Sequence, residues 1–377
     1  MPRTRCYKPR ARVNNTNNGP ANMNLRKYPK TIVALIVLIL AIAYSYSWTY
    51  TPYGRLDYRA ALSLHLMTFT YHYKPDPNKD FEIALPVNLI YSLSDWLPTE
   101  KVDAVKNITI PGKGVTIPAR VYWPQGVDKT QAVPIIVYFH GGGFTVGSVQ
   151  IFDALTRSLA NATHAVVVSI DYRLAPANPY PAAVEDCYAA TEWVAENAAS
   201  FGGDPKKLAV AGDSAGGNLS AVVALKARDA GGPTIAAQIM YYPAVDLTDA
   251  HYDSKEKFSN GFGLSSASGD KFEYAYAAKV QDHKDPYLSP LYVSSVAGLP
   301  PALIVTEGFD PLTGPANAYA DRLEQGGVRV TRLHYPDMIH GFMSIRFFPQ
   351  RRQSLIGTSQ FLNEVLQSHS SSSPGNG

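Results

Sequence analysis

Between residues 134 and 335, short apolar runs alternate with longer stretches of helical period; the runs lie near 134–139, 165–170, 207–212, 234–241, 301–307 and 328–335. Runs of this length, rich in Val, Ile, Leu and Ala, mark strands buried on both faces. From Ala182 to Ala198 the apolar positions Val184, Cys187, Ala190 and Val194 recur on one helical face, and Gly217 to Lys226 reads as a buried helix. Strands that alternate with helices predict an α/β fold, a mostly parallel sheet covered by helices on both faces. Ahead of it, Val105–Ile110 and Ile117–Trp123 flank Pro111-Gly112-Lys113-Gly114 and predict an antiparallel hairpin.

The N-terminal pattern is different. Residues 1–30 hold eight Lys or Arg and no acid, and no charge follows between Lys30 and Arg55. Thr31 to Ala43 is almost wholly aliphatic, and extending it through Tyr44–Tyr50 gives about 20 residues with aromatics at one end, as a membrane span requires. The expectation is a transmembrane signal-anchor over 31–50. The basic leader then puts the N-terminus in the cytoplasm and the larger part of the chain in the ER lumen, the periplasm or outside the cell. The alternative is a signal peptide cleaved near Ala41-Ile42-Ala43, with secretion of the rest. Beyond the span we expect a cap or linker segment over 51–104 and one catalytic domain over 105–367. The alternation is interrupted over 249–284, where an insertion covering the site is expected. The ends, 1–30 and 368–377, are polar and expected to be disordered.

Composition narrows the function. The 377 residues carry a net charge of +3, but beyond residue 30 the 26 remaining Lys and Arg stand against 31 Asp and Glu. Basicity belongs to the tail, so no nucleic-acid surface is expected. The two cysteines are Cys6 and Cys187, which excludes a disulfide inside the catalytic domain.

The chemistry lies at the strand ends. Ser214 occupies Gly212-Asp213-Ser214-Ala215-Gly216, between an apolar strand and a helix, where a tight bend exposes the hydroxyl. His140-Gly141-Gly142-Gly143 directly follows another strand, and consecutive glycines let backbone amides turn toward an anion. The amides of Gly142, Gly143 and Ala215 are candidate oxyanion donors, with Gly141 setting the bend and His140 supporting the loop. The base should be a histidine on a loop: His334 lies within a strand, so His340 is favoured. Asp310, just past the strand ending at 307, is the favoured orienting carboxylate, with Glu307 and Asp337 as alternatives. Ser254 and Lys257 match a Ser-x-x-Lys pattern, but no Lys-Thr-Gly follows.

With these motifs, the chain resembles the hormone-sensitive-lipase-like carboxylesterases, a family of α/β-hydrolases marked by His-Gly-Gly-Gly and Gly-Asp-Ser-Ala-Gly. The likeness runs from about Asn107 to Met343 and includes Asp171-Tyr172-Arg173-Leu174-Ala175-Pro176, Pro181-Ala182-Ala183-Val184-Glu185-Asp186 and Asp285-Pro286-Tyr287-Leu288-Ser289-Pro290-Leu291. It implies an α/β-hydrolase fold with a helical cap, a triad of Ser214, Asp310 and His340, and no metal or organic cofactor. It also departs from the family pattern. Asp310-Pro311-Leu312-Thr313 leads into Gly314-Pro315 where the family commonly writes Asp-Glu, and Ala177 replaces a usual Glu. The expected activity is hydrolysis of carboxylic esters of small to medium acyl groups, with a lipophilic ester as substrate. The alternatives are a ligand-binding receptor on the same scaffold, which in the plant gibberellin receptors lacks the histidine, and an amide deacetylase. No feature of the sequence sets an oligomeric state.

Overall fold

The computed structural model describes residues 29–70, 98–128 and 130–371. The expected disorder of the N-terminal tail lies outside these residues, apart from Pro29 and Lys30, which begin a helix. The chain divides into two compact units, Met1–Ser47 and Trp48–Gly377.

In the first unit, helix α1 (Pro29–Ser47) covers most of the expected span. Its 19 residues reach about 28 Å, but the unbroken aliphatic run over 32–43 reaches only about 18 Å against a hydrocarbon core of about 30 Å. The last turn is polar, with Ser45 and Ser47 hydroxyls donating to the Ile42 and Tyr44 carbonyls. Among the described residues no helix is long and apolar enough to cross a membrane. The expectation of a transmembrane segment over 31–50 is corrected accordingly: the helix stops at Ser47, and Tyr50 already belongs to strand β1 (Tyr50–Thr51).

The second unit opens with β1 paired to β2 (Gly54–Arg55), followed by α2 (Tyr58–Thr70). Its centre is an eight-stranded sheet of β3 (Ala104–Pro111), β4 (Thr116–Trp123), β5 (Val133–Phe139), β6 (Val166–Ile170), β7 (Gly203–Asp213), β8 (Ala237–Tyr241), β9 (Ala302–Phe309) and β10 (Val330–Ile339). The spatial order is β10-β9-β8-β7-β5-β6-β4-β3. The predicted hairpin is the antiparallel pair β3–β4, β4 joins β6 antiparallel, and every other pairing is parallel.

Helices α3 (Asp153–Thr163), α4 (Ala182–Glu196), α5 (Ala215–Ala230), α8 (Thr313–Gln325) and α9 (Pro349–Ser371) pack on the sheet, while α6 (Asp253–Lys257) and α7 (Ser266–Ala277) lie in the predicted insertion. Alternate strand residues feed opposite layers. Ile136 and Tyr138 of β5 join one core cluster, and Ile135, Val137 and Phe139 join the other. Each such side chain contributes about 1.5–3 kcal/mol by leaving water. That double burial is why the strands read as continuous apolar runs rather than as alternation. Cys187 is one of these core residues; burial pushes its thiol up, which suits packing rather than reactivity.

Two boundaries differ from expectation. Helix α9 continues to Ser371, so residues 368–371 of the predicted disordered tail are helical. Strand β10 runs to Ile339 through an irregularity after Tyr335, four residues beyond its predicted end at 335. Pro336 hid that continuation, because proline removes a ladder donor and reads as a strand terminator.

Candidate active site

β7 ends one residue before Ser214, and α5 begins one residue after it. Ser214 has φ 55° and ψ −117°, a backbone region that costs a residue with a Cβ about 1–3 kcal/mol. Its neighbours hold it there. The Ser214 N–H donates to the Tyr241 carbonyl at 2.8 Å, and the Asn218 N–H donates to the Ser214 carbonyl at 3.1 Å. A Cβ on Gly212 would strike the Gly216 carbonyl, and one on Gly216 would strike that of Phe139, so the bend closes only with glycine at both places.

The second loop leaves the end of the adjacent strand, β5. Gly142 and Gly143 have φ of 120° and 58°. One buried carboxylate binds this loop to the bend. Asp213 Oδ1 accepts the Gly141 N–H at 2.9 Å and the Tyr138 hydroxyl at 2.5 Å. Burial pushes the Asp213 carboxyl up to about 6, and these two donors oppose the rise. His140 is buried and stacks between Tyr172, with centroids 4.4 Å apart, and Phe152, at 5.4 Å. Its Nδ1 lies 2.8 Å from the Gly141 carbonyl, and burial lowers its pKa, so a neutral ring donating through Nδ1 fits this site. Tyr172 fastens the loop further by donating to the His140 carbonyl at 2.7 Å. The Ala215 amide opens α5, where no preceding turn offers it an acceptor.

The third element is set by strand register. Ile339 of β10 stands opposite Phe309 of β9, so the next residues, His340 and Asp310, emerge side by side at the carboxyl edge. His340 Nδ1 is 2.8 Å from Asp310 Oδ2, and His340 Nε2 is 2.9 Å from Ser214 Oγ. Asp310 is fully buried and also accepts the Leu312 N–H at 2.8 Å. With a proton on Nδ1, the imidazole donates to Asp310 and accepts from the Ser214 hydroxyl, an arrangement able to move a proton off the serine. His340 was expected on a loop; it follows the strand directly, and its direction is fixed by the end of the sheet. Two other candidates are engaged elsewhere: His334 Nδ1 meets Thr306 Oγ1 at 3.0 Å, and Asp337 accepts from Gln350 at 2.9 Å.

The insertion closes over these loops. The Phe272 ring on α7 lies against Gly143, where a Cβ would strike it, and Tyr276 stacks on Phe144 with centroids 3.9 Å apart. Ser254 on α6 donates to the Pro311 carbonyl at 2.8 Å and accepts the Gly314 N–H at 2.9 Å. Its hydroxyl ties the insertion to the loop after Asp310, while Lys257 pairs with Asp253 at 3.4 Å; the Ser-x-x-Lys pattern is thus structural. The same contact accounts for the sequence departure at Gly314: a Cβ there would come within 2.6 Å of Ser254 Oγ and 3.0 Å of Tyr252 Cβ.

The family described as having the alpha/beta hydrolase fold matches residues 136–344, which contain Ser214, Asp310, His340 and the glycine loop. The chain belongs to the hormone-sensitive-lipase-like carboxylesterase family. It is 44% identical over 271 residues to the carboxylic ester hydrolase LipN of Mycobacterium tuberculosis, covering 70% of each chain. It is 34% identical to the ethyl acetate hydrolase of Pseudomonas putida, over 65% of this chain and 77% of that one. Among solved structures, the hyperthermophilic esterase of Pyrobaculum calidifontis superposes with a TM-score of 0.75 at 38% identity, covering 81% of this chain and 97% of that one.

The family motifs also contain residues whose part is visible only in three dimensions. In the sequence Asp213 stands only as a motif letter, and Tyr138 only as one position of the apolar run 134–139. Arg173 and Asp186 come from separate motifs and form a two-pronged ion pair, with Nη2 and Nε each 2.8 Å from a carboxylate oxygen, that braces the chain after β6 against α4. Their joint presence was the available signal. Among the described residues, no group of three or more His, Cys, Asp or Glu is placed to hold a metal ion.

Proposed function

We propose that the chain is a serine carboxylic-ester hydrolase that cleaves esters of small to medium acyl groups through an acyl-enzyme. The observation that carries the reading is the continuous hydrogen-bonded series Asp310, His340, Ser214 beside the glycine loop. In this reading His340 takes the Ser214 proton as Oγ attacks the ester carbonyl, and Asp310 stabilises the resulting imidazolium. The amides of Gly142, Gly143 and Ala215 receive the oxyanion, each worth about 3 kcal/mol in the transition state. The imidazolium then protonates the departing alkoxide. Water enters, gives its proton to His340 and releases the acid, returning the proton to Ser214.

The catalytic domain is assigned to 105–367, with 249–284 and the described part of 51–104 as its cover; residues 71–97 of that expected segment lie outside the described residues. Aromatic packing supports this: Tyr53 lies 5.5 Å from Phe258 and 6.2 Å from Phe262, and both phenylalanines contact Phe309, the residue before Asp310. The relative named for ethyl acetate supports a short acyl group. The test is incubation of the purified protein with a fluorophosphonate, together with p-nitrophenyl butyrate turnover. One label per chain, on Ser214, is expected. An unlabelled, folded protein that turns over no ester would overturn the reading in favour of a binding role.

The same reading attaches the enzyme to a membrane surface through α1. Support comes from exposed aliphatic side chains of that helix, among them Leu35, Ile36, Leu38, Ile39 and Leu40, and from the basic leader ahead of it, which suits an anionic lipid surface. Full-length protein should float with anionic phospholipid vesicles, and a fragment starting at Trp48 should not. Equal behaviour of the two would remove α1 from this role.

A further inference from the structure

Glu307 is wholly buried on β9, three residues ahead of Asp310. Among the described residues no N–H or hydroxyl donates to either of its carboxyl oxygens, and the polar group in contact with it is the carboxyl of Asp310. Two ionised carboxylates in contact repel each other, and the contact becomes a hydrogen bond only when one of them carries a proton. Asp310 already accepts from the Leu312 N–H at 2.8 Å and lies 2.8 Å from His340 Nδ1. Glu307 has no such donors. Around it, Thr313 donates to its backbone carbonyl at 2.6 Å, and Tyr335 stands opposite on β10. Burial first, and then the charge of Asp310, push the Glu307 carboxyl well above the usual carboxylic-acid range.

We infer that Glu307 is a neutral carboxylic acid whose O–H is donated to the Asp310 carboxylate, making it a positioning residue that sets the orientation and charge of the group holding His340. The inference rests on the triad reading given above. The acid with two N–H partners is the anion, and the acid with none keeps its proton. Strain in the serine bend is held by glycines and backbone bonds; the corresponding control at the other end of the triad is this second carboxyl group.

The test compares Glu307→Gln, which keeps an N–H donor in a side chain of the same shape, with Glu307→Leu, which removes the donor without leaving a large void. Thermal denaturation establishes that each variant folds, and fluorophosphonate labelling of Ser214 is measured in each. Glu307→Gln should keep kcat within about threefold and leave the acid limb of the kcat/KM profile in place. Glu307→Leu should lower kcat by about 10- to 100-fold at constant KM, because a misplaced Asp310 misplaces the imidazole. It should also move the acid limb up by about half a unit to one unit, because the undiluted Asp310 charge favours the imidazolium. A downward move of the acid limb in Glu307→Gln would mean that an ionised Glu307 had been removed, overturning the inference even if Glu307→Leu fails to fold. Normal labelling with a Glu307→Leu profile equal to that of the native enzyme overturns the role of Glu307 and leaves the triad intact. Absence of labelling in the native protein overturns both.

Discussion

Ser214→Ala should lower kcat for p-nitrophenyl butyrate by about four to six decades while the protein stays folded. The size of the loss follows from what the hydroxyl does in the proposed reaction: without Oγ no acyl-enzyme forms, and the residual rate is that of water beside the oxyanion donors. Alanine carries the same Cβ as serine, so the φ of 55° at this position is no more strained in the variant than in the native chain. The melting temperature should therefore change little. A reduction of less than tenfold in a folded variant removes Ser214 from its assigned role.

Asp310→Asn should cost about four decades of kcat, with KM for the ester nearly unchanged. One proton decides the outcome. The carboxylate 2.8 Å from His340 Nδ1 requires a donor at that nitrogen, which leaves Nε2 as the lone-pair acceptor 2.9 Å from Ser214 Oγ. A carboxamide in its place can present an N–H to Nδ1 and force the opposite tautomer, in which Nε2 has no lone pair for the serine proton. A pH-independent deficit under tenfold in a folded variant would exclude Asp310 as the partner of His340.

The apolar runs made the sheet legible, because a strand buried on both faces has no polar alternation to confuse it with a surface element. Motif letters then located the serine bend and the glycine loop, since both need residues without a Cβ at places where carbonyls from other strands approach. Asp310 and His340 could be ordered along the chain but not joined from it. Their meeting depends on Ile339 standing opposite Phe309 after an irregular stretch of β10, and a register across two strands leaves no local trace. The extent of α9 was missed for a different reason: a serine-rich terminus has weak intrinsic helicity, and in the structure it extends a helix already packed through Phe361, Leu362 and Val365. The apolar span was overread because aromatic and hydroxyl residues were added to an aliphatic run that is itself short. Asp213 stayed hidden because charge and chain order say nothing about which backbone amide a carboxylate meets.

Asp213 has a consequence for anyone redesigning this enzyme. A single carboxylate, next to Ser214 in the chain and bonded to the Gly141 N–H, joins the proposed nucleophile to the proposed oxyanion loop, so neither can be tuned by moving it independently of the other. Changes in substrate range are better sought through Phe272 and its neighbours on α7, which touch the glycine loop from outside this shared anchor.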